Sequence, residues 1–384
     1  MNNLISKKVQ DMQPSGIRAF FDLVLGMKDV ISLGVGEPDF VTPWQIREAG
    51  IYSLEQGFTS YTSNKGLYKL RLSISRYLKN RYGLEYCPDE EILITVGVSE
   101  GFDLVLRSLL NPHDKVLIPT PCYVSYPALT GLAGGIPVCI DTKHDGFKLT
   151  PARLEEAAVK NKPKAIILNY PTNPTGISYS KKELEGLKKI ILKHKMICIS
   201  DEIYADLTYD FEHTPFPTLS GAKEKTIYLS GFSKSYAMTG WRVGFACGPK
   251  EVIAAMTKIH QYTIMCVSIT SQMAACEALV SGKKSVEEMK REYRRRKELV
   301  VAGLNDLGLS CHNPQGAFYV FPCLKGIGRK SMEFAQGLLK DQNVAVVPGT
   351  AFGESYEDYL RISYASSFEN LKEALARIEK FLNK

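Results

Sequence analysis

The features that usually tie a chain to metal, disulfide or membrane chemistry are missing from this sequence of 384 residues. Nine cysteines and six histidines are present, yet none forms a C-x-x-C or H-x-x-x-H pair. Without ligand spacing, a structural or catalytic metal site is not expected. The cysteines are odd in number and scattered, and several sit in apolar runs such as Met196-Ile197-Cys198-Ile199. They read as reduced core thiols of a cytoplasmic protein. No stretch approaches the length of a membrane span, and Met1 to Lys8 lacks an apolar signal region, so no membrane partner is expected. Gly34-Val35-Gly36 follows a short apolar run, but a third glycine is absent and Pro38 stands where a helix should open. The dinucleotide fingerprint therefore fails. A strong charge bias is lacking too. The net charge is +7, and much of it lies in Lys290 to Lys297, where glutamates alternate with the bases at helical i,i+4 spacing (Glu287 to Arg291, Glu292 to Arg296). Met289, Tyr293, Val300 and Leu304 form the apolar stripe of the same helix. That is a solvated helix face, and no nucleic-acid partner is expected.

What is present is an ordinary globular composition, 45% hydrophobic and 23% charged. The length exceeds that of one average compact unit, which predicts two domains or one large domain with an appendage. Thr42-Pro43-Trp44 predicts a helix start with Thr42 as cap, and a second helix is expected from about Leu67 to Tyr82. Between them a polar loop carries Tyr61. From residue 91 apolar strand candidates recur: Glu91 to Thr95, Lys115 to Pro119, Pro137 to Ile140, Ala165 to Leu168, Met196 to Ser200, Thr226 to Leu229 and Val243 to Cys247. Most are separated by segments long enough for a helix crossover. The pattern predicts an α/β fold with a mainly parallel sheet sandwiched by helices. Two later segments, Pro314 to Phe321 and Tyr359 to Tyr364, read as strands of a smaller α+β domain. Alternation in the second puts Arg361 and Ser363 on the face opposite Leu360 and Ile362.

The unusual residues come directly after the strands, where ligands bind in such sheets. Gly97-Val98-Ser99-Glu100-Gly101 opens a helix, with Ser99 as a candidate cap and free N–H groups suited to an anion. Pro121-Cys122-Tyr123 is a rigid turn, and Asn173-Pro174-Thr175-Gly176 follows another strand. Asp201 leaves an apolar run where its charge needs a positive partner, and Tyr204 lies three residues on. Finally Thr226 to Leu229 delivers Lys234 into a turn with Ser230, Ser233, Phe232, Tyr236, Met238 and Trp241. A poorly hydrated lysine there favours the neutral amine, a nucleophile towards aldehydes, and Arg242 offers a fork suited to phosphate. An amine, a carboxylate, an aromatic plate, a phenol, an amide and a phosphate cradle together match the parts of pyridoxal phosphate.

With Gly36-Glu37-Pro38-Asp39, Tyr61-Thr62, Asn173-Pro174-Thr175-Gly176, Ser200-Asp201-Glu202-Ile203-Tyr204, Ser233-Lys234, Gly240-Trp241-Arg242-Val243-Gly244 and Arg361-Ile362-Ser363 in this order, the chain resembles the fold type I pyridoxal-phosphate enzymes, class I/II aminotransferases of the aspartate/aromatic kind. The resemblance covers nearly the whole length and implies roles. Lys234 would be the Schiff-base lysine, and Asp201 the partner of the pyridine nitrogen. Tyr204 and Asn173 would bond the phenolic oxygen, and Tyr123 would stack on the ring. Ser99, Ser233 and Arg242 would bind phosphate, with Val98 and Glu100 through backbone, while Ser230 competes with Ser233 for that role. Arg361 would grip the substrate α-carboxylate, and Gly36 and the arm around Ile17 would close over the substrate. Tyr61 would reach the phosphate of the neighbouring subunit, which implies a homodimer with shared sites. The large cofactor domain would span 45–285, and 1–44 with 286–384 would form the small one. The activity implied moves an amino group from an L-amino acid, aspartate or aromatic, to a 2-oxo acid such as 2-oxoglutarate by ping-pong kinetics.

Three other readings stay open on the sequence alone. Gly97-x-Ser99-x-Gly101 matches a nucleophile elbow, so an α/β-hydrolase with Ser99 as nucleophile and His260 or His312 as base is one. A C–S β-lyase on the same cofactor and fold shares almost every motif. A regulatory aminotransferase-like domain is the third, although no DNA-binding module is expected here.

Overall fold

The computed structural model describes residues 4–10, 12, 14, 16, 27 and 29–383. All seven strand candidates from residue 91 onward pair into one sheet. They are β2 (Ile92–Thr95), β3 (Lys115–Thr120), β4 (Ile136–Asp141), β5 (Ala165–Asn169), β6 (Ile197–Asp201), β7 (Thr226–Gly231) and β8 (Gly244–Cys247), preceded in the chain by a short β1 (Ile31–Ser32). The spatial order is β2-β8-β7-β6-β5-β3-β4, and every pairing is parallel except the two that β8 makes. The exception has a local cause: β7 runs through the Lys234 turn straight into β8 with no helix between them, so β8 must return antiparallel.

Successive strand residues point to opposite faces, and both faces are covered. Ile167, Ile199 and Leu229 pack with Phe102, Val105 and Leu106 of the helix Gly97–Leu109 and with Ile253 and Met256 of the helix Lys250–Thr263. Their neighbours Ile166, Leu168 and Cys198 face the other way, onto Leu154 of the helix Pro151–Asn161 and Leu184, Leu187 and Ile191 of the helix Lys181–Lys193. Each fully buried aliphatic side chain contributes about 1.5–3 kcal/mol. The Lys181–Lys193 helix is also closed by a capping box between Ser180 and Glu183.

The C-terminal part adds β9 (Tyr319–Val320), β10 (Val344–Ala345), β11 (Val347–Pro348) and β12 (Leu360–Ser363). β12 lies between β11 and β9, antiparallel to both, and β1 pairs in parallel with β10. The chain after β1 continues between them, since Leu33 N–H donates to Ala345 O at 2.8 Å and Ser363 N–H donates to Leu33 O at 2.7 Å. Residues 33–37 therefore form a strap joined to the C-terminal strands on both sides. The long helix Lys283–Asp306 buries Met289, Tyr293, Val300 and Leu304 as its stripe predicts.

Several local expectations are corrected. Pro314 to Phe321 is not one strand: Ala317 adopts a φ of +57°, Gly316 makes an isolated bridge with Thr208, and the strand itself is Tyr319–Val320. The alternation expected in β12 does hold, with Leu360 and Ile362 in the core and Arg361 on the cavity, although all four residues are buried because both faces are covered. The first helix starts at Trp44 without a side-chain cap, and Thr42 instead donates to Ala237 O at 2.6 Å. Among the cysteines Cys122, Cys198, Cys247 and Cys276 are buried free thiols, whereas Cys87 and Cys139 are exposed. Among the described residues no helix is long and apolar enough to cross a membrane, and no cluster of potential metal ligands is found.

Candidate active site

The carboxyl ends of the parallel strands, the Lys234 turn, the strap and β12 surround a cavity of about 780 Å³. Val98, Ser99, Tyr123, Asn173, Asp201, Tyr204, Ser233, Lys234, Arg242, Arg361 and Gly36 all line it. Eleven of the residues singled out from sequence thus converge on one space.

One end is built from backbone. The helix Gly97–Leu109 starts at Gly97 itself, with φ at +69°, so Ser99 lies within the first turn instead of capping it. A Cβ at Gly97 would stand 2.6 Å from Arg242 Nη2. Only glycine admits both the backbone conformation and the guanidinium above it. Arg242 is held there by a bond from Nη1 to Thr239 O at 2.9 Å. Free N–H groups of a helix start, a guanidinium and the hydroxyls of Ser99 and Ser233 are groups suited to a phosphate dianion. Glu100 faces away from the cavity: its carboxylate accepts from Val96 N–H and from His260 Nδ1, the latter at 2.6 Å. Ser230 also lies behind the wall, its hydroxyl 3.5 Å from Glu202 O.

In the middle, Asp201 ends β6 and is buried. Tyr126 donates to its Oδ2 at 2.7 Å and Ile203 N–H to its Oδ1 at 3.2 Å. Burial nevertheless pushes its pKa up to about 6, so the carboxylate lacks a full cationic partner. Asn169, its register partner on β5, donates to Asp201 O at 3.0 Å and accepts from Asn173 N–H at 3.2 Å. Lys234 donates to Gly36 O at 2.6 Å. Burial brings its pKa down to about 8; Glu37 opposes this, and Arg361 and Arg242 reinforce it. The aromatic wall differs from the expectation. Lys234 lies 5.9 and 5.8 Å from the rings of Tyr204 and Phe318, while Phe232, Tyr236 and Met238 pack into a separate core beneath the turn.

At the far end Arg361 is buried among aromatic rings. Its Nη1 donates to Asn173 Oδ1 at 3.1 Å and its Nη2 to Gly34 O, while Nε has no partner. Burial holds its pKa below the usual arginine range. A buried cation with an unsatisfied donor is a place built for an anion. Glu37, from the same strap, accepts from Thr239 Oγ1 at 2.9 Å.

Tyr61 does not enter this chain's cavity and is 80% exposed. Ile17 lies outside the described residues. The lining residues not singled out by sequence reasoning include Tyr126, Asn169, Glu37 and Tyr319. Asn169 ends a strand next to a proline turn, and Glu37 stands in the Gly36-Glu37-Pro38-Asp39 motif, so both carried a signal. Tyr126 and Tyr319 carried none beyond being tyrosines.

A sheet of this order, with its buried amine, carboxylate and anion cradle at the carboxyl edge, defines a fold type I architecture. The chain belongs to the aminotransferase class I and II family, whose sequence profile matches residues 28–378. Members of this family depend on pyridoxal phosphate, and the protein is an aminotransferase. The Bacillus subtilis protein YugH is 55% identical over 100% of both chains. An aspartate aminotransferase of Pyrococcus abyssi is 44% identical over 98% of both. The crystal structure of an aromatic aminotransferase from Pyrococcus horikoshii superposes with a TM-score of 0.90 at 42% identity, covering 96% of this chain and 98% of that one. Membership retires the hydrolase reading, and neither His260 nor His312 lines the cavity that Ser99 faces.

Proposed function

We propose that this aminotransferase takes its amino group from an L-amino acid of aspartate or aromatic type and passes it to a 2-oxo acid such as 2-oxoglutarate, in two half-reactions at one site. The observation that carries the reading is a buried amine of lowered pKa, Lys234, facing the same cavity as Asp201 and Arg361. Relatives named for aspartate and for aromatic amino acids support both donor classes.

The residues present fit pyridoxal phosphate. The Gly97 cradle beneath Arg242 suits its phosphate, an incompletely paired Asp201 suits its ring nitrogen, and the orphaned Nε of Arg361 leaves room for a carboxylate. Once bound, the cofactor supplies an electrophilic carbonyl and a ring that takes up the electron pair left at Cα. The chain does the rest. Ser99, Ser233 and Arg242, with the backbone of Val98 and Glu100, hold the phosphate, and Ser230 supports the turn from behind. Tyr123 packs on the ring, Tyr204 and Asn173 bond its phenolic oxygen, and Asp201 holds a proton at its nitrogen. Arg361 would grip the α-carboxylate in a fork, with Gly36 closing over the substrate. The neutral Lys234 amine, favoured by burial, would be the base that takes the Cα proton and holds it at Nζ for its return.

The same reading includes a homodimer whose partner supplies Tyr61 to the phosphate end. Tyr61 and Tyr262 are 80% and 85% exposed, Ile264 and Met265 are exposed beside Tyr262, and Asn64 of the Tyr61 loop bonds to Met265 O; an apolar group of this kind supports a contact surface. It also includes a small domain of residues 1–44 with 286–384 that moves against a large domain of 45–285, and a cytoplasmic location in keeping with nine free cysteines. The test mixes the holoenzyme with each common amino acid, without oxo acid, and follows the absorption of the bound cofactor together with the product released. Conversion by aspartate or aromatic donors, yielding the matching oxo acid, is expected. Conversion only by other donors overturns the substrate assignment, and release of pyruvate and ammonia with the cofactor unchanged would establish elimination.

A further inference from the structure

Tyr319 stands at the junction of the two anchors just described, and no role has been given to it. It opens β9, lines the cavity and is fully buried. Its position is fixed by register, because Tyr319 pairs with Ser363 of β12, two residues beyond Arg361. Two contacts leave its side chain in different directions. Its hydroxyl lies 3.0 Å from the hydroxyl of Tyr204, and the Arg361 guanidinium carbon sits 4.8 Å from the centre of its ring. The strap passes close by, so that a Cβ at Gly36 would be 3.1 Å from the Tyr319 hydroxyl.

These contacts divide by chemistry. A phenol that donates to an acceptor in front of it can still accept through its own oxygen, and such chains strengthen each donor in turn. An arginine over an aromatic face is held by the ring quadrupole, with no need of the hydroxyl. We propose that Tyr319 is a positioning residue that joins the substrate end to the cofactor end: its hydroxyl donates to Tyr204, making Tyr204 the stronger donor towards the cofactor's phenolic oxygen, and its ring face orients Arg361 for the α-carboxylate. The inference rests on the roles proposed above for Tyr204 and Arg361. The charged and titratable groups around Tyr319 include Arg361, Tyr204, Tyr123, Glu37 and Tyr364.

The two halves separate by mutation of the holoenzyme. Tyr319→Phe keeps the ring and removes the hydroxyl. A hydrogen bond donated to the phenolic oxygen favours its anionic form, so weakening that bond raises the midpoint of the pH titration of the bound cofactor's absorption. An upward shift of about half a unit or more is expected, with KM for donor and acceptor changed less than about twofold. Tyr319→Met fills a similar volume without an aromatic face, and it should raise KM about tenfold for donor and acceptor alike, beyond anything seen in Tyr319→Phe. Thermal midpoints of the cofactor-free variants report folding independently, and Tyr319→Leu replaces the methionine variant if that one fails to fold. Tyr204→Phe is run in parallel. If it moves the titration while Tyr319→Phe superimposes on the parent, the hydroxyl relay is overturned and the Tyr204 role stands. If Tyr204→Phe itself leaves the titration unmoved, the Tyr204 assignment fails and takes the relay with it. Equal KM values in the phenylalanine and the ring-less variants overturn the role of the ring.

Discussion

The two ends of the cavity are built by different means. The Gly97 and Arg242 end uses backbone of a helix start and the return of β7 into β8, both rooted in the seven-stranded sheet. The Arg361 end uses side chains on β12 and a strap whose own carbonyls, Gly34 O and Gly36 O, occupy Arg361 and Lys234. The first end stands open in shape for its ligand. At the second the protein's own groups already hold Lys234 and both Nη atoms of Arg361, leaving only Nε unpaired, and those bonds must exchange when substrate arrives. Tight retention of a cofactor and exchange of two different substrates ask for this division: rigid backbone where nothing should leave, displaceable contacts where something must.

Lysine replacement gives the largest expected effect. Lys234→Ala should remove turnover by a factor of about 10⁴ or more while the thermal midpoint of the folded protein stays close to that of the parent, since among the described residues lining the cavity Lys234 alone carries an amine. Steady-state assay beside calorimetry checks it, and an active alanine variant would sink the mechanism. Arg361→Ala follows, with a loss of about 10²–10³ in kcat/KM for donor and acceptor equally. If cofactor affinity fell in parallel, the two ends would not be separable as described.

The lysine also makes a pH prediction in the cofactor-free protein. Its pKa falls from 10.5 in the unfolded chain to about 8, so the folded state pays the burial cost of the charge at every pH below about 8. Between 8 and 10.5 the unfolded chain binds more protons, and stability contributed by this group rises with pH. Lys234→Met should thus stabilise the cofactor-free protein at neutral pH by on the order of 2–3 kcal/mol, with the advantage fading above pH 8. Denaturant titrations at several pH values read it. Gly97→Ala comes next. It strains a backbone at φ +69° and pushes against Arg242, so cofactor affinity should drop about tenfold, with KM for substrates left within about twofold.

The same division explains what could be read from residues alone. Strands of the large sheet are buried on both faces and bounded by turn residues, so Ile197–Asp201 and its neighbours were visible as apolar runs, and the residues after them marked the cofactor end. The substrate end was legible in Arg361 and Gly36 within their motifs, and in little of the wall between them. Apart from β12 its β-strands are two residues long, too short for a period to show, and Tyr319 acquires its place from pairing with Ser363 across the fold. The walls around Lys234 failed for a related reason. Phe232 and Tyr236 are near in sequence but turn into a core beneath, while Tyr204 and Phe318 arrive from distant segments. Ser99 was misplaced as a cap because Gly97 can begin the helix two residues earlier with a positive φ.

The smallest expected effect tests the strap most directly. Thr239 gives its hydroxyl to Glu37 at 2.9 Å and its carbonyl to Arg242, so one residue touches both ends through different atoms. Thr239→Val removes the first bond and leaves the second. A single exposed hydrogen bond to a carboxylate contributes roughly 0.5–1 kcal/mol, so the change in strap closure should be only about two- to fivefold. Because the closed strap places Gly34 O on Arg361 and Gly36 O on Lys234, loosening it should ease their displacement and lower KM for both substrates, with cofactor affinity unmoved. A rise in KM instead would mean that the strap holds substrate more than it competes with it, and the second end would then be preformed in its own way, with the Glu37 contact as part of the grip.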